Sequence, residues 1–133
     1  MDAHAKAVVH EMTEASDRER ITFPAVVAAL AGAGVERYHA DLALSTRTYY
    51  MPDGTAEIVP CYDVGPAAET FSAAGVDAAV RAVQAGSIGY RAFCDRLAAA
   101  GCVGYIVTLA GRRAIYYGRT GDSHVEPFPR ASS

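Results

Sequence analysis

Hydrophobic positions along the chain switch between two spacings, and the switch occurs twice in the same order. Residues 3–17 place Val8, Val9 and Met12 on one side of a predicted helix. Residues 69–85 form its counterpart, stopped by Gly86 at a position that favours glycine. A second helix is predicted to begin near Pro24, which the first helical turn tolerates because its missing N–H would have no partner there. Val26, Val27 and Leu30 supply its buried stripe and Gly34 ends it; Phe93, Leu97 and Ala100 take those places before Gly101.

After each of these glycines the spacing drops to two, which predicts strands. Val103, Tyr105, Val107 and Leu109 alternate with Gly104, Ile106 and Thr108. A turn at Ala110-Gly111 leads to a strand with Ile115, Tyr116 and Tyr117, and Gly118-Arg119-Thr120-Gly121 turns into residues 123–128. The first half repeats this through Pro52-Asp53-Gly54, a sequence with strong turn chemistry.

The order recurs because the chain reads as a tandem duplication at an offset of 67, the distance from Ile21 to Ile88. Leu30, Gly34, Tyr38, Tyr49-Tyr50, Gly54 and Pro60 are answered by Leu97, Gly101, Tyr105, Tyr116-Tyr117, Gly121 and Pro127. Two alanine-rich helices could share alanines by chance, but not paired tyrosines, turn glycines and a proline in one register. The predicted fold is α+β: two helix-helix-three-strand (αα-βββ) units whose antiparallel meanders pack against helices. One domain over 1–129 is expected, made of repeats 1–66 and 68–129, with 130–133 as a flexible tail. One sheet of six strands and two sheets of three both satisfy the pattern.

Side chains one residue apart on a strand face opposite sides of the sheet, so tight hairpins would sort the meanders into faces. Tyr38, Ala40, Leu42, Tyr49 and Ile58 then form the core face of the first repeat. Arg37, His39, Asp41, Thr48, Tyr50 and Glu57 form its polar face. The matching face of the second repeat carries Gly104, Ile106, Thr108, Ile115, Tyr117 and His124, with Glu126 further along, and is partly apolar. Arg37, His39, Asp41, Tyr50, Glu57, Tyr117, His124 and Glu126 are therefore the candidate ligand-binding set, and Ile106, Ile115 and Tyr117 a candidate contact with a second subunit.

Composition narrows the classes. Half of the residues are hydrophobic and a fifth are charged, which predicts a folded chain rather than a disordered one. A net charge of -3, with no basic patch larger than Arg112-Arg113, argues against nucleic acid. The N-terminus lacks a basic start followed by an apolar run, and no apolar stretch is long enough to span a bilayer, so a cytoplasmic protein without membrane attachment is expected. Cys61, Cys94 and Cys102 are odd in number and lack CxxC spacing, which predicts reduced, mostly buried thiols.

Motifs for catalysis are weak. His10-Glu11-Met12-Thr13-Glu14 approaches the helical zinc-protease pattern, but Glu14 stands where the second histidine belongs and no third ligand is evident. His39 with Asp41, and His124 with Glu126, could orient an imidazole, yet no nucleophile sits at a recognisable elbow. Gly32-Ala33-Gly34 ends a helix instead of opening one, so it is a helix stop and not a dinucleotide fingerprint. Tyrosines without interleaved basic residues read as cross-strand packing rather than a base-stacking platform. No catalytic residue, metal site or cofactor is predicted.

Several stretches carry a family resemblance: Ile21-Thr22-Phe23-Pro24, Ala33-Gly34-Val35-Glu36-Arg37-Tyr38, Thr48-Tyr49-Tyr50-Met51-Pro52-Asp53-Gly54, Ala100-Gly101-Cys102-Val103-Gly104-Tyr105 and His124-Val125-Glu126-Pro127-Phe128. Over nearly the whole chain the sequence resembles the YbcV-like proteins, a bacterial and prophage-encoded family of unknown function. The label "phage envelope protein" attached to some members is inherited and implies no virion role. The resemblance brings no catalytic residues. The leading expectation is a non-enzymatic protein that forms a homodimer or binds a partner protein; the alternative is a small-molecule binder or enzyme that uses the polar sheet face, with histidine for acid–base work.

Overall fold

The structure, a computed structural model, describes residues 1–129; the tail expected over 130–133 lies outside the described residues. The chain runs α1 (Ala3–Asp17), α2 (Phe23–Gly32), β1 (Arg37–Asp41), β2 (Thr46–Tyr50), β3 (Ala56–Pro60), α3 (Ala73–Gln84), α4 (Tyr90–Ala99), β4 (Cys102–Thr108), β5 (Arg113–Gly118) and β6 (Ser123–Pro127). Asp2 caps α1 by accepting the Ala5 N–H, and Ser72 caps α3 by accepting that of Gly75, each satisfying a donor the helix leaves free. No described helix is long and apolar enough to cross a membrane.

The six strands form one antiparallel sheet in the order β3-β2-β1-β4-β5-β6. Every pairing in the first meander has its counterpart 67 residues on: Tyr38 lies opposite Tyr49 as Tyr105 lies opposite Tyr116, and Tyr49 opposite Glu57 as Tyr116 opposite His124. The halves join where β1 pairs with β4, and there His39 faces Ile106, its own counterpart in the second half. The fold is thus α+β, with a pseudo-twofold axis between those two residues.

Helices cover one sheet face only. Val9 and Met12 of α1, Leu30 of α2, Val76 and Val80 of α3, and Phe93 and Leu97 of α4 meet Tyr38, Tyr49, Tyr105, Val107 and Tyr116 in one core cluster. Each half also reaches into the other. The Arg91 side chain at the start of α4 donates to the Asp17 carbonyl, and the Tyr62 hydroxyl to the Asp95 carboxylate. Phe23 at the start of α2 packs edge-on against Phe128, with centroids 5.3 Å apart.

Two local details depart from the sequence pattern. α3 starts at Ala73 rather than near residue 69, because the preceding chain is tied to the end of α4 by Ala68 N–H to Ala98 carbonyl and Ser72 N–H to Ala100 carbonyl bonds. β4 carries a bulge between Cys102 and Gly104, so Cys102 takes the core place expected of Val103. None of the cysteines is paired; burial pushes the Cys61 thiol up to about 11 and the Cys94 thiol up to about 12, so both remain protonated at neutral pH.

Gly34 and Gly101 both end their helices at positive φ, 84° and 81°. Their surroundings differ. A Cβ at Gly34 would touch only the flexible end of Met51, whereas one at Gly101 would collide with the Thr70 backbone carbonyl. Gly34→Ala should therefore cost about 1 kcal/mol, the conformational penalty alone. Gly101→Ala should cost at least about 3 kcal/mol, because backbone must also move. Urea unfolding of both variants checks this, and equal losses would contradict the close approach.

Candidate functional site

Register sorts the outward-facing residues of the uncovered face into three rows. The central row runs Ile58, Thr48, His39, Ile106, Ile115, Val125 across all six strands. Above it lie Tyr50, Arg37, Thr108 and Arg113; below it lie Thr46, Asp41, Gly104 and Tyr117. The middle row is apolar except at Thr48 and His39, the row above it carries Arg37 and Arg113, and the row below carries one carboxylate, Asp41. Ile58 is 65% exposed and Val125 46%.

Glycine at position 104 shapes the centre. With no side chain there, Tyr117 lies across β4 and its hydroxyl meets His39 Nε2 at 2.6 Å, the two rings stacked at 15°. In the first half the matching tyrosine, Tyr50, is covered by the Arg37 guanidinium, 4.3 Å from its centroid. Arg37 also bonds Glu36. Between Arg37, His39, Tyr50 and Ile106 the face sinks into a shallow depression of about 300 Å³.

Arg37, His39, Asp41, Tyr50, Tyr117, Ile106 and Ile115 share this face, as the alternation predicted. Asp41 is occupied by its own loop, where its carboxylate accepts the N–H groups of Ala43 and Leu44. Glu57, His124 and Glu126 are not on it, which corrects the expected site. They lie on the helix side, and Ile58, expected in the core, lies outside. The reason is loop length. A tight hairpin flips parity, but the odd-length loops 51–55 and 118–122, each closed around a glycine at φ 88°, preserve it and place Tyr49 opposite Glu57 and Tyr116 opposite His124.

On the helix side, Glu57 meets His10 of α1 at 2.9 Å. The corresponding pair in the second half is exchanged: His124 stands on the strand and Asp77 on α3, with Glu126 and Arg81 completing a four-residue cluster. Asp77 and Arg81 face β6 because they lie four apart on α3, a relation invisible until α3 is laid on that strand.

Arg47 escaped the sequence reading although the signal was there: it sits two residues before Tyr49 on β2, so the alternation that buries one buries the other. Its side chain is fully inside, 4.7 Å over the Tyr90 ring and 5.4 Å over that of Tyr38. Its Nε has no hydrogen-bond partner among the described residues. The Thr13 hydroxyl spends its proton on the Val9 carbonyl, so Tyr49 donates to Thr13 and leaves a lone pair for Arg47. Burial works against the guanidinium charge, and the phenols of Tyr90, Tyr105, Tyr49 and Tyr38 together outweigh it, so the pKa of Arg47 lies above its usual value. The side chain is a buried cation in an aromatic cage.

The sequence matches the model of a family described as Protein of unknown function (DUF1398) over residues 52–126, from the β2–β3 loop through most of β6. No curated protein matches the chain.

The buried groups around Arg47 predict an alkaline transition. Burial holds the phenols of Tyr38, Tyr90, Tyr105 and Tyr116 and the Cys94 thiol above their usual values near 10 and 9. Folded pKa values above the unfolded ones give stability that is complete below pH 9 and is lost as pH rises toward the folded values. The unfolding free energy from urea titration should stay flat from pH 7 to 8.5 and fall above pH 9.5, by roughly 1.4 kcal/mol per group per pH unit, with the midpoint falling in step. A midpoint unchanged at pH 10.5 would contradict the assignment.

Proposed function

The chain belongs to the DUF1398 family, whose description assigns no activity, and from that premise we propose that it works as a non-enzymatic binding module that pairs with a second copy of itself through the open sheet face. One observation carries the reading: Ile106, Ile115 and Val125 form an apolar run on β4, β5 and β6, with Ile58 on the far edge beyond His39 and Thr48, on a sheet face that nothing among the described residues covers.

The flanking rows favour a second copy over an unrelated partner. A twofold axis along the central row would lay that row on itself and bring the Arg37 and Arg113 side of one copy over the Asp41 side of the other. Each apolar position would then meet its own counterpart, and Arg37 of one copy would lie over Asp41 of the other. With strands about 4.8 Å apart and about 3.3 Å per residue, six strands give a face on the order of 500 Å². That is below the roughly 800 Å² per partner of a standard interface, so pairing is expected at micromolar rather than nanomolar concentration.

Splitting of the polar residues weighs against catalysis. His39 and Tyr117 face outward while His124, Glu126 and Glu57 face the helices, so the acid–base candidates do not converge. The small-molecule alternative keeps the depression beside Arg37 and Tyr50, which is open and at the lower limit of ligand-pocket size.

Sedimentation equilibrium tests the pairing. The 14.0 kDa chain should double in mass at micromolar concentration. Ile106→Asp or Ile115→Asp should leave a folded monomer, and Leu44→Asp, exposed in the β1–β2 loop away from the face, should still pair. A wild-type monomer at all concentrations, or an Ile106→Asp variant that pairs as well as wild type, would refute it.

A further inference from the structure

We propose that Asp77, His124 and Glu126 form a binding site for a divalent transition metal, with zinc the best-fitting ion. The donors are one imidazole and two carboxylates, and their ligand atoms all lie within 4.8 Å of one another. An imidazole in the set favours zinc and its neighbours over magnesium or calcium.

The spacing is the argument. His124 Nε2 is buried from solvent and has no hydrogen-bond partner among the described residues, yet it faces Glu126 Oε2 at 3.5 Å and Asp77 Oδ1 at 3.7 Å. Both separations are too long for a hydrogen bond. A tetrahedral zinc with bonds of about 2.0–2.1 Å requires ligand atoms about 3.3–3.4 Å apart, so the two separations from His124 lie within a few tenths of an ångström of that spacing, and the two carboxylates lie within 4.8 Å of each other.

The other half supplies the control. His10 and Glu57 occupy the positions equivalent to Asp77 and His124, and that pair closes to 2.9 Å, an ordinary hydrogen bond. His124 Nε2 makes no such contact. It instead stands off from two carboxylates.

Arg81 fits as a positioning residue. Its guanidinium bonds Glu126 Oε1 at 2.6 Å and Asp77 Oδ1 at 3.3 Å, which steadies both carboxylates and leaves Glu126 Oε2 turned toward His124. Three protein ligands leave a fourth position for water, and Asp77, half-exposed, keeps the site open to solvent.

The sequence concealed this set because Asp77 lies on a helix far in the chain from His124, and the parity error placed His124 and Glu126 on the opposite face.

Calorimetric titration of the chelator-treated full chain with zinc chloride tests the site, with cobalt(II) absorption as the reporter of geometry. One zinc per chain should bind with micromolar or tighter affinity, raise the melting temperature and be removed by EDTA; cobalt should give the intense visible bands of a tetrahedral centre. His124→Ala and Asp77→Asn should weaken binding at least 100-fold with circular dichroism unchanged, and His10→Ala should have no effect. Absence of binding by the wild-type chain, or binding that survives His124→Ala, would overturn the proposal.

Discussion

The antiparallel junction between β1 and β4 is the constraint from which the rest follows. Residues Arg37 to Asp41 of the first half pair with Thr108 to Gly104 of the second, so two three-stranded meanders become one six-stranded sheet. A three-stranded sheet with two helices is marginal on its own, and the junction lets four helices share one core. It also fixes which face is covered. All four helices lie on one side, leaving an uncovered face with an apolar run on β4, β5 and β6. The outer strands, β3 and β6, are short and end at Pro60 and Pro127, which blunts the edges against further strand addition. The pairing proposed above therefore uses the face rather than the edge.

The halves keep the same framework but fill it differently. Arg47 and its counterpart Ala114 show this in the core: one half encloses a guanidinium among tyrosines, while in the other Phe93 packs edge-on to Tyr116. Enclosing that cation costs several kcal/mol of desolvation, which two cation–π contacts of about 2 kcal/mol each and one hydroxyl largely offset. Arg47 is therefore better understood as specifying the packing than as stabilising it. The helix–strand pairs diverge in the same manner, with histidine and carboxylate exchanged between His10–Glu57 and Asp77–His124.

Much of this was legible in the chain. Apolar spacing located all four helices and six strands, and the recurring tyrosines and glycines gave the repeat offset that the strand register follows. What spacing could not supply was loop geometry. Each third strand was assigned to the wrong face because loops 51–55 and 118–122 preserve parity, so Ile58 emerged on the open face while Glu57, His124 and Glu126 turned inward. Arg47 was readable from its alternation with Tyr49, although a charged residue on a core face runs against ordinary burial preferences. The cluster of Asp77 with His124 was not readable at all, since it depends on how α3 lies against β6.

The central claim is that the uncovered face is a contact surface between copies. It is tested most directly by labelling isoleucine and valine methyls and measuring their relaxation by a soluble paramagnetic agent at low and high protein concentration. The account predicts that Ile58, Ile106, Ile115 and Val125 become protected as concentration rises while Val8 and Val83 on the helices do not. Equal exposure of those four methyls at both concentrations, or protection of the helix side instead, would contradict it.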